Sequence, residues 1–215
     1  MQGHRKLFAC HVRQALTLAE RYGFGFTLIT KSTRVLRDLD LLKAINEKTK
    51  CVVQMTLTTC DEALCRKIEP NVSTTRERVE ALKKLHAAGI PTVVWLCPIL
   101  PWLNDTPENI GGIVEACHDA GVKGIINFGM GLTLREGSRE YFYAQLDRHF
   151  PGLKEQYIRT YGMQYQLSSP RNEELMKLFH RLCGEKGIVH SNKKIFEYLN
   201  TFEQKPNHIQ LSLFD

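Results

Sequence analysis

No stretch of the 215-residue sequence is long and apolar enough to span a bilayer as a helix. The longest apolar run, Thr92 to Leu103, is interrupted by Pro98 and Pro101. The opening Met-Gln-Gly-His-Arg-Lys-Leu-Phe has charge but no apolar run behind it, so no signal peptide is expected. A cysteine framework is lacking too. The seven cysteines are odd in number and scattered, which reads as reduced thiols in a cytoplasmic protein. Glycine (15) and proline (8) are too few for collagen or long disorder. His86, His118, His180 and His190 share no close metal-ligand spacing, so a zinc site is not expected. No five like charges stand in a row, and no repeat is visible beyond an alternation of strands and helices.

What remains is an ordinary globular composition, 43% hydrophobic and 24% charged, on a length that suits one domain. The net charge of +6 is unevenly spread. Residues 1–90 hold 16 basic and 9 acidic side chains, whereas residues 91–170 hold 6 and 8. A nucleic-acid-facing surface is compatible with this, but charge alone favours a solvated surface that happens to be basic.

One local pattern recurs. A helix ends at a glycine and a β-branched strand follows at once. Tyr22-Gly23-Phe24-Gly25 leads into 26–30, Ala88-Gly89-Ile90-Pro91 into 92–97, and Ala120-Gly121-Val122 into 123–128. A fourth strand at 51–57 follows a lysine-rich helix end. Thr74 with Glu77 forms a capping box, and Thr106-Pro107 is an N-cap with a first-turn proline. Strands alternating with helices of this length predict βαβ units and a parallel sheet. After Met130 the spacing predicts helices at about 138–149, 153–160 and 172–187 and no strand. This stretch is aromatic, which suits covering an open barrel end or a sheet edge. From about Asn200 the chain reads as a loose polar tail.

In parallel βα folds, functional residues lie at the C-terminal strand ends. Here those ends read Thr30-Lys31-Ser32, Thr56-Leu57-Thr58-Thr59, Cys97 to Asp105, and Asn127 to Gly131, with Glu69-Pro70 in the second loop. Lys31 is open to two readings, a Schiff-base amine or carboxylate anchor, and a structural partner of Glu69 or Asp105. Pro98 and Pro101 set a fixed backbone that can face a ligand or simply stiffen the loop. Cys60 and Cys65 have four residues between them and Cys51 lies nine positions before Cys60, which is no iron–sulfur spacing. All seven cysteines therefore read as structural.

Five segments then match one family in order. Thr30-Lys31-Ser-Thr-Arg-Val-Leu-Arg37-Asp38-Leu-Asp40-Leu-Leu42 resembles the TKS…RDxDLL segment of radical S-adenosylmethionine (SAM) proteins related to spore photoproduct lyase. Gln54-Met-Thr56-Leu-Thr-Thr59 resembles that family's SLTT strand end, and Ile68-Glu69-Pro70 with Arg76 to Leu85 its EP…R…AL segment. Ala88-Gly89-Ile90-Pro91 and then Pro98-Ile-Leu-Pro101-Trp-Leu-Asn104-Asp105 resemble its AGI and PIiPglND segments. The resemblance implies an α/β fold: four parallel strands of a six-stranded (β/α) barrel over residues 1–131, a helical C-terminal extension over 132–199, and a tail over 200–215. It implies radical chemistry, in which a 4Fe-4S cluster reduces S-adenosylmethionine and a 5′-deoxyadenosyl radical abstracts a substrate hydrogen.

The residues that the resemblance puts around the cofactor are Lys31, on the carboxylate or ribose side, Thr56, Glu69, and the Pro98–Asp105 loop with Asn104 and Asp105 flanking the adenine. The CxxxCxxC loop and the family's first two strands have no counterpart here. The expectation is a truncated or split form, inactive alone and without its own cluster, and a complementary N-terminal fragment is the expected partner. No cysteine inherits the lyase's hydrogen-donating role. A Schiff-base lyase built on Lys31 is the alternative enzyme. The ending Gln210-Leu211-Ser212-Leu213-Phe214-Asp215 resembles the QL[SD]LF peptide that docks on the bacterial DNA sliding clamp, with Gln210, Leu211, Leu213 and Phe214 as contacts. A tail folded back on the barrel is the competing use of those residues.

Overall fold

The computed structural model describes residues 2–202, with side chains from residue 11 onward. Four parallel strands, β1 (Phe26–Thr30), β2 (Cys51–Thr56), β3 (Thr92–Trp95) and β4 (Gly124–Ile126), form one sheet in chain order. Leu28 pairs with Val53, Val53 with Thr92, and Val93 with Gly124. The strand positions agree with the sequence pattern. The helices α1 (Gln2–Arg21), α2 (Leu39–Lys48), α3 (Glu62–Ile68), α4 (Thr75–Ala87) and α5 (Pro107–Asp119) lie in the first part of the chain, with a 3₁₀ turn at Thr33–Asp38.

Local chemistry explains the boundaries. Thr74 accepts from the Glu77 N–H while the Glu77 carboxylate accepts from the Thr74 N–H, so both partners of the capping box are satisfied. Thr106 caps α5 by accepting from the Asn109 N–H. Gly89 and Gly121 adopt φ of +76° and +65°, a region that costs other residues a Cβ clash, and this lets each helix turn straight into the next strand.

One face of the sheet packs on helices. Leu16, Leu42, Ile45, Cys51, Val53, Leu85 and Ile90 form one buried cluster, and Met55, Val94, Ile125, Leu82, Ile113 and Phe179 belong to a second. The opposite face, carrying Val52, Val93 and Ile126, is covered by Ile195 and Leu199 of α9 (Asn192–Asn200). Coverage on both faces leaves all six residues of β2 buried. The two sheet edges differ. At β4, Gly124 bridges Val189, and the Ile125 N–H donates to the Val189 carbonyl. At β1, among the described residues, the outer edge has no strand partner.

The C-terminal part holds α6 (Ser138–His149), α7 (Leu153–Tyr161) and α8 (Asn172–Glu185), close to expectation. It also holds a strand pair that the sequence pattern misses: β5 (Gly131–Thr133) runs antiparallel to β6 (Gln166–Ser168). Three residues per strand are too few to show a period of two, and only the pairing of Leu132 with Leu167 reveals it. The aromatic stretch packs on the loop after β3. Tyr157 donates to the Pro101 carbonyl at 2.8 Å, and its ring meets Trp102 edge-on at 5.1 Å. No helix among the described residues is long and apolar enough to cross a membrane.

Candidate functional site at the strand ends

A cleft of about 1340 Å³ opens at the C-terminal ends of the strands. Its floor includes Lys31, Thr58, Glu69, Cys97, Pro98 and Gly129. Arg66 and Lys67 line it from α3, and Tyr141, Arg148 and His149 from α6. Asn127 pins the end of β4 from within: its amide donates to the Leu96 carbonyl and its carbonyl accepts from the Gly129 N–H.

Glu69 is the hub of the floor. Its Oε2 accepts from Arg78 Nη2 at 2.7 Å and from the Thr58 hydroxyl at 3.2 Å. Its Oε1 meets the Lys31 ammonium at 2.6 Å as an ion pair outside hydrogen-bond geometry, and accepts no hydrogen bond. The Glu69 side chain is 9% exposed, that of Arg78 0% and that of Lys31 38%. Burial pushes the Glu69 pKa up, but Lys31 and Arg78 together outweigh it and hold the carboxyl below its ordinary value. Lys31 is thus the cation exposed to the cleft, and Arg78 the one sealed behind it.

The cysteines are dispersed. The six described cysteines are free, and among the described residues no three metal-binding side chains stand together. A 4Fe-4S cluster needs thiolates within reach of one another, so these residues do not fit it. Burial raises the thiol pKa of Cys51 and Cys183 to about 12 each. Cys97 lines the cleft, and burial raises its pKa against a smaller lowering by Lys31.

Residues 2–110 match the family model described as the Radical SAM superfamily. The chain belongs to the radical SAM superfamily. Among curated proteins, an uncharacterized protein of Mycobacterium tuberculosis is 30% identical over 139 residues, covering 65% of this chain and 40% of the relative. An uncharacterized protein of Acidianus two-tailed virus is 31% identical over 137 residues, covering 62% and 44%. The chain therefore spans about two fifths of the length of these relatives. Among solved structures, spore photoproduct lyase complexed with dinucleoside spore photoproduct superposes with a TM-score of 0.57 at 16% identity, over 83% of this chain and 54% of that one. A domain of pyruvate-formate lyase-activating enzyme from Bacteroides vulgatus superposes with a TM-score of 0.56 at 12% identity, over 86% and 91%. Both likenesses concern the fold.

In this radical SAM chain the residues expected around the cofactor divide into two groups. Lys31, Glu69 and Pro98 line the cleft. Thr56, Asn104 and Asp105 are buried beneath it. Thr56 offers its carbonyl to Arg78 Nη1 at 2.8 Å. Asn104 accepts from the Leu100 N–H and donates to the Thr58 carbonyl, while Asp105 accepts from the Ser169 hydroxyl. Both sit where they tie the β3–α5 loop to its neighbours. Arg78 and Asn109 escaped the sequence reading, whereas Thr58 stands in one of its strand ends. The signal for Arg78 is its place in the stripe Thr75, Arg78, Leu82, Leu85, all buried on one side of α4. The clamp-like residues Gln210, Leu211, Leu213 and Phe214 lie outside the described residues.

Proposed function

We propose that this chain supplies the S-adenosylmethionine-binding wall of a radical SAM site akin to that of spore photoproduct lyase-type enzymes. The observation that carries the reading is the opposed pair of Lys31 and Glu69 on the floor of a large cleft at the strand ends. The amino-acid end of S-adenosylmethionine is a zwitterion, and a cation beside an anion is its electrostatic complement. Lys31 takes the carboxylate and Glu69 Oε1, which accepts no hydrogen bond, takes the ammonium. Pro98 and the loop behind it wall the site, and Thr56, Asn104 and Asp105 support that wall from below. The bound cofactor supplies the source of the family's radical chemistry. A double mutant of spore photoproduct lyase with bound AdoMet shares the fold at a TM-score of 0.58, which is consistent with the assignment.

The 4Fe-4S cluster belongs, in this proposal, to a segment outside the described residues, carried by a complementary N-terminal fragment. The support is the outer edge of β1, which has no strand partner among the described residues. A parallel sheet edge is normally paired or covered. Here Ile29 is 57% exposed on that strand, with exposed Phe24 and Leu18 nearby in the chain. The substrate reading is a nucleic acid, supported by Arg66, Lys67, Arg148 and His149 with Tyr141 around the cleft. The free cysteines favour a cytoplasmic setting. The Schiff-base alternative is weaker, because Lys31 stands in an ion pair rather than in the apolar surroundings that a nucleophilic amine needs.

Isothermal titration with S-adenosylmethionine tests the cofactor reading. Binding is expected, and Lys31→Ala should weaken it by about tenfold to a hundredfold, the loss of one charge-assisted contact. No heat from the wild-type chain overturns it.

A further inference from the structure

The proposed site needs Glu69 to stay anionic after its visible counter-ion has moved. In the ligand-free arrangement Lys31 neutralises Glu69 Oε1 from the cleft side. A zwitterionic ligand draws Lys31 onto its own carboxylate, which leaves the buried Glu69 to face the incoming ammonium. A buried carboxylate without a fixed counter-charge takes up a proton instead, and a neutral carboxyl no longer pairs with an ammonium.

We infer that Arg78 is the positioning residue of this site: it fixes Glu69 from behind through Oε2 and so keeps Oε1 charged and turned to the cleft. This rests on the reading that the cleft takes S-adenosylmethionine. The geometry is specific. Arg78 Nη2 donates to Glu69 Oε2 at 2.7 Å, Nη1 to the Thr56 carbonyl at 2.8 Å and Nε to the Ser73 carbonyl at 2.7 Å. Three acceptors from three segments set the plane of the guanidinium, which only the forked arginine head can satisfy together. No ligand in the cleft competes for this cation, because the Arg78 side chain is 0% exposed. Lys31, 38% exposed on a flexible stem, is the releasable partner. Fixed and releasable cations on opposite oxygens let one pair be exchanged for another without stranding a charge.

The charged and polar groups facing Glu69 are Lys31 after β1, Arg78 on α4 and the Thr58 hydroxyl after β2. Cys97 faces Lys31, and His149 lines the same cleft. His149 is present in every variant below, so its part in the wild-type affinity is common to all of them and the ratio of variant to wild type isolates the change at Arg78 or Glu69.

The test is S-adenosylmethionine affinity between about pH 5 and 7, by titration calorimetry, for wild type, Arg78→Met, Arg78→Lys and Glu69→Gln. For Arg78→Met the loss relative to wild type should be about tenfold at pH 7 and should grow towards pH 5, as Glu69 takes up a proton. For Glu69→Gln the relative loss should be the same at every pH. Arg78→Lys keeps the charge and should show a loss without the slope, which also covers the case in which Arg78→Met fails to fold. An equal loss at all pH values for Arg78→Met, or the same slope in Arg78→Lys, overturns the inference. If wild type gives no heat, the cofactor reading fails separately. Carboxyl ¹³C titration of Glu69 in the ligand-free protein then decides: a pKa that is higher in Arg78→Met than in wild type while Arg78→Lys stays close to wild type supports the role, and an unchanged pKa in Arg78→Met overturns it.

Discussion

Asn104 donates its amide to the carbonyl of Thr58 at 2.7 Å, so the loop after β3 is bolted to the loop after β2 by one buried side chain. The same side chain accepts from the Leu100 N–H, and Asn109 donates to the Thr58 carbonyl as well. This closed polar knot holds the floor of the cleft where Thr58 reaches Glu69. Removing it by Asn104→Ala leaves the buried Leu100 N–H without its acceptor. The expected loss of folding stability is about 2–3 kcal/mol. Urea unfolding followed by circular dichroism checks it, and a change below about 0.5 kcal/mol, typical of an unimportant surface site, contradicts the assignment.

The acid limb of stability should carry a signature of Glu69. Its folded-state pKa lies below its unfolded value, so its contribution is present above the unfolded pKa and is lost as pH falls through the folded one. Wild-type stability should therefore decline from about pH 4.5 downward more steeply than that of Glu69→Gln. Parallel declines in the two proteins would place the acid sensitivity elsewhere.

Tyr157 is buried with its hydroxyl on the Pro101 carbonyl, and burial pushes its pKa well up. Tyr157→Phe keeps the ring contact with Trp102 and removes the bond. The expected cost is about 1 kcal/mol, read from the urea midpoint, with the fold intact by near-ultraviolet circular dichroism.

Among the described residues the outer edge of β1 has no strand partner, and a complementary fragment should pair there. The part of a longer homologue that precedes its region of similarity and carries a CxxxCxxC loop should bind this chain after anaerobic cluster reconstitution. This chain alone should take up no stoichiometric cluster. Ile29→Lys, a charge on the pairing strand, should abolish the complex. Complex formation that is indifferent to Ile29→Lys would move the interface off this edge.

The C-terminal peptide is tested on its own. A labelled peptide of residues 205–215 should bind purified bacterial sliding clamp with a dissociation constant on the order of micromolar, by fluorescence anisotropy. Making Leu213 and Phe214 both Ala should remove the binding. Silence at about a hundred micromolar, or no effect of the double change, ends the proposal.

Much of this protein is determined locally and is therefore legible in the sequence. Gly23, Gly89 and Gly121 stop helices because only glycine enters a positive φ without a Cβ clash, and the strands β1, β3 and β4 follow them at once. The capping box at Thr74 and the proline after Thr106 mark helix starts by their own hydrogen-bond needs. The ordered motif matches carried the family, because strand-end residues keep their spacing whatever surrounds them. Tertiary structure alone decided the rest. Which residue answers Lys31 depends on how the loops after β1 and β2 fold over each other, and Glu69 rather than Asp105 stands 2.6 Å from it. Asn104 and Asp105 belong to a motif at the rim, yet both are buried beneath it: Asn104 satisfies backbone groups of two loops, and Asp105 accepts from the Ser169 hydroxyl. Arg78 is one of several charged residues along α4, and only the convergence of Glu69, Thr56 and Ser73 around its guanidinium explains why a cation is buried there.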